Sequence, residues 1–115
     1  MKYMLMCCIE ESHWESLPAS EREAVMRDYA AWVQSTERNG QHLATHQLQP
    51  SSSATTLRMK GGRLLVTDGP FAEAKEQFGG YHLLECKNLD EALAAARRIP
   101  TLRVGGTVEV RPVLS

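Results

Sequence analysis

An excess of charge of one sign is missing from this chain. Thirteen Lys and Arg stand against fourteen Asp and Glu in 115 residues, a formal net charge of −1, so nothing electrostatic argues for direct contact with nucleic acid or an anionic membrane. The densest basic spot, Arg97-Arg98, is too small to be a patch. Long apolar runs are missing too. The longest, from Tyr3 to Ile9, is seven residues, against the ~20 that a membrane helix needs. Glu10-Glu11 follows it in place of a small-residue cleavage site, and the expectation is a strand in a cytoplasmic protein. Cysteine is sparse and odd in number: Cys7, Cys8 and Cys86. All three fall in predicted strands, where neighbouring side chains point to opposite faces, so free buried thiols are expected instead of a disulfide framework. The apolar flanks of YMLMCCI offer neither a cation nor a helix N-terminus to create a reactive thiolate. There is no phosphate loop, since Gly61-Gly62 lacks a following Lys-Ser/Thr, and no Ser nucleophile elbow or zinc spacing. No cofactor and no metal site are expected.

What is present fits one domain, residues 1–115, long enough to build a core without staples. KYMLMCCI (2–9) is apolar on both faces and reads as a central strand covered on both sides. Ser20 and Glu23 form a capping box, and Val25, Tyr29, Trp32 and Val33 recur at helical spacing up to Gly40, predicting an amphipathic helix over 20–39 whose aromatic pair belongs to the core. QHLATHQLQ (41–49), ending at Pro50, predicts a second strand. TTLRMK and RLLVT flank Gly61-Gly62 as a hairpin does. GYHLLECK (80–87) is another strand apolar on both faces. Asn88 and Glu91 cap a helix whose apolar stripe is Leu89, Ala92, Leu93, Ala96 and Ile99. TVEVRPVL closes the chain as a strand with one polar face.

The order of core elements is strand, helix, strand, strand, helix, strand. This predicts an α+β, ferredoxin-like split β-α-β fold with an inserted hairpin at 54–67. Two helices cover only one face of its sheet, so the two-faced strands call for a second cover. A second copy packed face to face, a homodimer, is the economical one.

Several strings, in order and over nearly the whole chain, are similar to the DGPF branch of the YCII-related proteins. They are ATTLR (54–58), VTDGPFAEAKEQFGGYHLLE (66–85), NLDEALAAARRIP (88–100) and GTVEVRP (106–112). The resemblance implies a dimeric α/β barrel of ferredoxin-like subunits. It implies no assigned reaction. Some relatives are suspected of chemistry from a His and an Asp near a cleft, and others are associated with sigma factors. Relatives tend to carry Gly-Glu where this chain has Thr45-His46, and two aromatics where it has Tyr81-His82, so a carboxylate role at the first position does not carry over.

The candidate chemistry gathers around VTDGPFAEAKEQFGG. Asp68, at a strand end before Gly69-Pro70, is suited either to acid–base work or to fixing the turn through its own carboxylate. Glu73, Lys75 and Glu76 bring mixed charge, and Phe71 and Phe78 are expected to anchor the segment as a lid. On one strand His42 and His46 would lie about 13 Å apart, too far for one metal ion. His46 and His82 are instead expected to approach one another or Asp68 as a proton-transfer pair. Glu10 and Trp14, after the first strand, are placed at the mouth of the same cleft. Two functions follow from these residues. The first is a small-molecule site using Asp68, His46 and His82 for chemistry, with Glu10, Trp14, Phe71, Glu73 and Lys75 around the ligand. The alternative is a non-catalytic interaction module linked to sigma-factor-dependent transcription initiation.

Overall fold

The computed structural model describes residues 1–70 and 74–114. Phe71 and Glu73 therefore lie outside the described residues. The chain order is β1 (Lys2–Ile9), α1 (Glu11–Ser16), α2 (Ala19–Arg38), β2 (His42–Gln47), β3 (Thr55–Lys60), β4 (Arg63–Asp68), β5 (Gln77–Glu85), α3 (Leu89–Ala96) and β6 (Thr107–Pro112), with single 3-10 turns at Ser51–Ser53 and Pro100–Val104. Four strands form one antiparallel sheet in the order β2-β5-β1-β6, and β3 and β4 pair separately. With β3 and β4 set aside as an insertion, this is the strand order of a ferredoxin-like α+β sheet. Among the described residues no helix is long and apolar enough to cross a membrane.

Alternation along β1 and β5 sorts the sheet into two faces. Tyr3, Leu5, Cys7, Leu84 and Cys86 are buried with Trp32 of α2, with Ala92, Ala95 and Ala96 of α3, and with Ile99. Small alanines let α3 approach closely, and the Trp32 indole N–H donates to the Ala95 carbonyl at 2.9 Å, tying the two helices together. The other face carries Met4, Met6 and Cys8 on β1 and Leu83 on β5, all partly exposed in the single chain. Burial raises the pKa of all three thiols, and all three are free.

The helix ends follow the sequence unevenly. Asn88 caps α3 as expected, its Oδ1 accepting the Glu91 amide at 3.0 Å. Ser20 caps nothing: α2 begins a residue earlier behind Pro18, with no side-chain cap, because proline fixes an entry geometry that the first turn accepts. The strand expected over 80–87 starts at Gln77 instead. The connection after Asp68 is thereby shortened to residues 69–76. Three short elements were not foreseen, α1 and the 3-10 turns at Ser51–Ser53 and Pro100–Val104, each too brief to leave a periodic signature.

The hairpin closes as its glycines require, with φ of 57° at Gly61 and 77° at Gly62, the left-handed pair that a two-residue turn needs. Register pairs Leu57 with Val66 and Met59 with Leu64, which puts these four on one side of the ribbon. All four are 58–65 % exposed.

Candidate functional site

A cavity of about 250 Å³ opens between α1, α2, the 3-10 turn at 100–104 and the paired ends of β2 and β5. Its buried floor is built from Cys7, Gly80, His82, Thr101 and Val104, and its exposed rim includes Glu15, His46, Leu48 and Pro50. Trp14, Met26 and Tyr29 wall it on the helix side. At the floor, Gly106 holds the 3-10 turn against β1, because a Cβ there would lie 2.5 Å from Thr101 Cγ2 and 2.6 Å from the Cys8 carbonyl oxygen.

His82 is the central polar group. It is 4 % exposed, and its ring lies 4.5 Å from the Trp32 ring, centroid to centroid, and 6.2 Å from that of Tyr29. Burial among these rings, together with the nearby His42, pushes its pKa down to about 4, since desolvation penalises the charged imidazolium. At neutral pH the ring is uncharged. Its Nδ1 shares a proton with Thr45 Oγ1 at 2.9 Å, and Thr45 Oγ1 meets His42 Nε2 at 2.7 Å. A hydroxyl has one proton to give, so it donates to one ring and accepts from the other. The row His42–Thr45–His82 thus has two directions, and reversing it exchanges N–H for lone pair at His82 Nε2. That Nε2 takes no hydrogen bond from the described residues.

A second buried polar group adjoins the floor. The hydroxyls of Tyr29 and Thr101 share a hydrogen bond, and the Cys7 thiol lies within interaction distance of both. Burial raises the pKa of Cys7 and of Tyr29, so both stay protonated and serve as neutral hydrogen-bonding groups.

The residues singled out in the sequence are dispersed by this geometry. Trp14, His46 and His82 line the cavity. His46 and His82 occupy opposite faces, because their neighbours in register are Tyr81 and Thr45 respectively. His46 Nδ1 bonds the Tyr81 hydroxyl at 2.8 Å. Asp68 ends β4 opposite Thr55 in the separate hairpin and is absent from the cavity lining. The turn after it is secured by backbone and a threonine: the Gly69 amide donates to the Ala54 carbonyl at 2.7 Å and Thr56 Oγ1 to the Gly69 carbonyl at 2.7 Å. Glu10 precedes α1 and accepts from Ser12 Oγ at 3.0 Å. Its neighbour Glu11 is the one that lines the cavity, its carboxylate accepting the Ser51 amide and hydroxyl at 2.8 and 2.9 Å. Lys75 is exposed outside the lining. Glu76 accepts from Thr107 Oγ1 at 2.7 Å and so fastens the connection to β6.

Sequence reasoning missed His42, Thr45, Tyr29, Thr101 and Cys7 as one cluster. On a regular strand, residues three apart point to opposite faces. A register irregularity between His42 and Ala44 breaks that alternation and brings His42 to the face of Thr45, as a bulge does. No residue type in HLATHQ announces it. Among the described residues no group of three or more His, Cys, Asp or Glu is placed to hold a metal ion.

The fold and cavity define a small α+β protein of ferredoxin-like order with one covered sheet face and a polar-floored recess. The chain matches the YCII-related domain over residues 1–115 and belongs to that family. It is also 40 % identical, over 114 residues, to an uncharacterized protein of Rhizobium meliloti (strain 1021), covering 98 % of this chain and 92 % of that protein.

Proposed function

We propose that the cavity is a small-molecule site in which His82 Nε2 meets the ligand and exchanges a proton with it. One observation carries this reading: a nearly inaccessible, neutral imidazole lines the floor of a recess, and among the described residues its Nε2 takes no hydrogen bond. Polar groups of a protein interior are ordinarily satisfied, so a ring nitrogen without a protein partner on a cavity-lining histidine suits a ligand. The row through Thr45 to the half-buried His42 supports the proton exchange, since it offers a route from the floor toward the edge strand β2. His46 stands at the rim in this reading, and Asp68 shapes the exit from β4. At 250 Å³, the cavity falls just under the ~300 Å³ where drug-sized pockets begin, which favours a compact ligand. Calorimetry with the neutral probe 4-ethylphenol tests the reading. Wild-type protein is expected to bind it saturably, and His82→Phe, with its circular dichroism unchanged, to bind it at least about tenfold more weakly. Equal binding by the variant would remove His82 from the site.

The apolar side of the hairpin supports a second, compatible reading. Leu57, Met59, Leu64 and Val66 stand exposed on one side of the ribbon and Met4, Met6 and Leu83 are partly exposed on the open sheet face; uncovered apolar side chains gathered in this way mark interaction sites. We propose that a second copy of the chain covers it, completing the barrel that two-faced strands call for. Sedimentation equilibrium is expected to give twice the chain mass, falling to one in the double variant Leu57→Asp, Met59→Asp. A wild-type monomer that instead captures a purified sigma factor would favour the interaction-module alternative.

A further inference from the structure

Floor and rim of the cavity differ in charge. The floor is neutral, with thiol, threonine hydroxyl and the uncharged His82 imidazole. Glu15 sits exposed at the rim, and Glu11 lies on the same helix with its carboxylate held toward Ser51. Among the described residues no Lys or Arg belongs to the lining. Arg22 lies beside this rim. Its guanidinium donates to the Glu15 backbone carbonyl at 2.9 Å, and it faces the neighbouring groove with Glu23 and Arg27. His46, the other histidine of the lining, is exposed and bonded through Nδ1 to Tyr81.

Resting on the cavity reading above, we infer that the ligand is a small amine: an apolar body against Trp14 and Met26, a hydrogen-bonding group at its inner end on His82 Nε2, and an ammonium at its outer end beside Glu15. The inner assignment follows from a floor side chain that is 4 % exposed and whose Nε2, among the described residues, has no hydrogen-bond partner. The outer assignment follows from sign. The Glu15 carboxylate at the mouth attracts an ammonium and repels a carboxylate or phosphate, and although Arg22 reaches the Glu15 backbone carbonyl from the neighbouring groove, no Lys or Arg stands among the described lining residues. Anionic ligands of the same shape are disfavoured for that reason.

Three probes with one phenol and different tails separate the possibilities: tyramine, 4-ethylphenol and 3-(4-hydroxyphenyl)propionate, titrated calorimetrically near neutral pH at low salt. Tyramine is expected to bind at least about tenfold more tightly than the propionate, with 4-ethylphenol between them, and added salt should narrow the gap. Glu15→Gln, at a carboxylate that takes no hydrogen bond from the described residues, should reduce the amine preference to about threefold or less. Affinities equal within about twofold, or a preference for the acid, would overturn the amine assignment and leave the cavity reading standing. An amine preference unchanged in Glu15→Gln would overturn the placement of the ammonium. Absence of saturable heat from all three probes would overturn the cavity reading itself, and the assignment with it.

Discussion

The sheet body and the hairpin are built from similar residues and end in opposite environments. In the body, Leu5 and Leu84 are completely buried beneath α2 and α3. In the hairpin, Leu57 and Leu64 alternate along the strands just as regularly and are 61 % and 58 % exposed. Alternation decides which way a side chain points, and only a neighbouring element decides whether it is covered. The body has helices that return across it, whereas no helix of the described residues buries Leu57, Met59, Leu64 or Val66 of the hairpin. A two-stranded ribbon is marginal by itself in water, so the hairpin's persistence depends on what lies against it.

Truncation of the body should have the largest effect. Leu84→Ala removes a fully buried side chain and is expected to cost about 2–5 kcal/mol, read from urea unfolding; a loss below about 1 kcal/mol would mean that the helices do not cover the sheet as described. Next comes the pH dependence of the buried imidazole. With the folded-state pKa lowered from the ordinary 6.5 to about 4, the unfolded chain binds more protons between those values. Stability is therefore full above about pH 6.5 and falls as the pH drops toward 4, by at most about 3 kcal/mol. His82→Phe should flatten that window, and an unchanged slope would assign it to other groups. The smallest effect belongs to the hairpin. Leu57→Ala should change the stability of the isolated chain by less than about 0.5 kcal/mol, and a cost that grows with protein concentration would show that a second copy covers this side.

The cluster around His82 shows how far a linear reading reaches. The Asn88 cap and the Gly61-Gly62 turn were legible because each depends on neighbours within a few residues. His82 was legible as a candidate because a histidine inside an apolar strand is conspicuous. Its partners were not. Thr45 is an ordinary strand residue, His42 reaches the same face only through a register irregularity, and Tyr29 and Thr101 are brought together from residues 72 apart in sequence. Glu10 and Glu11 are adjacent, and only the pitch of α1 decides that the second one reaches the cavity. The long DGPF segment attracted attention because its charges and turn residues are concentrated. Part of its length belongs to the strands on either side, and its Glu76 is engaged with Thr107.

The sequence by itself determined the order of the core elements, the faces of the central strands, the hairpin and its turn, and the family, because local propensity, side-chain period and a long contiguous motif are properties of neighbouring residues. Tertiary structure alone decided that His82 meets Thr45 and His42 while Asp68 stays with the hairpin, and that Glu15 stands at the rim of a cavity whose floor is neutral. Those outcomes depend on contacts between distant segments, where packing and desolvation act on residues whose types reveal nothing of their eventual neighbours.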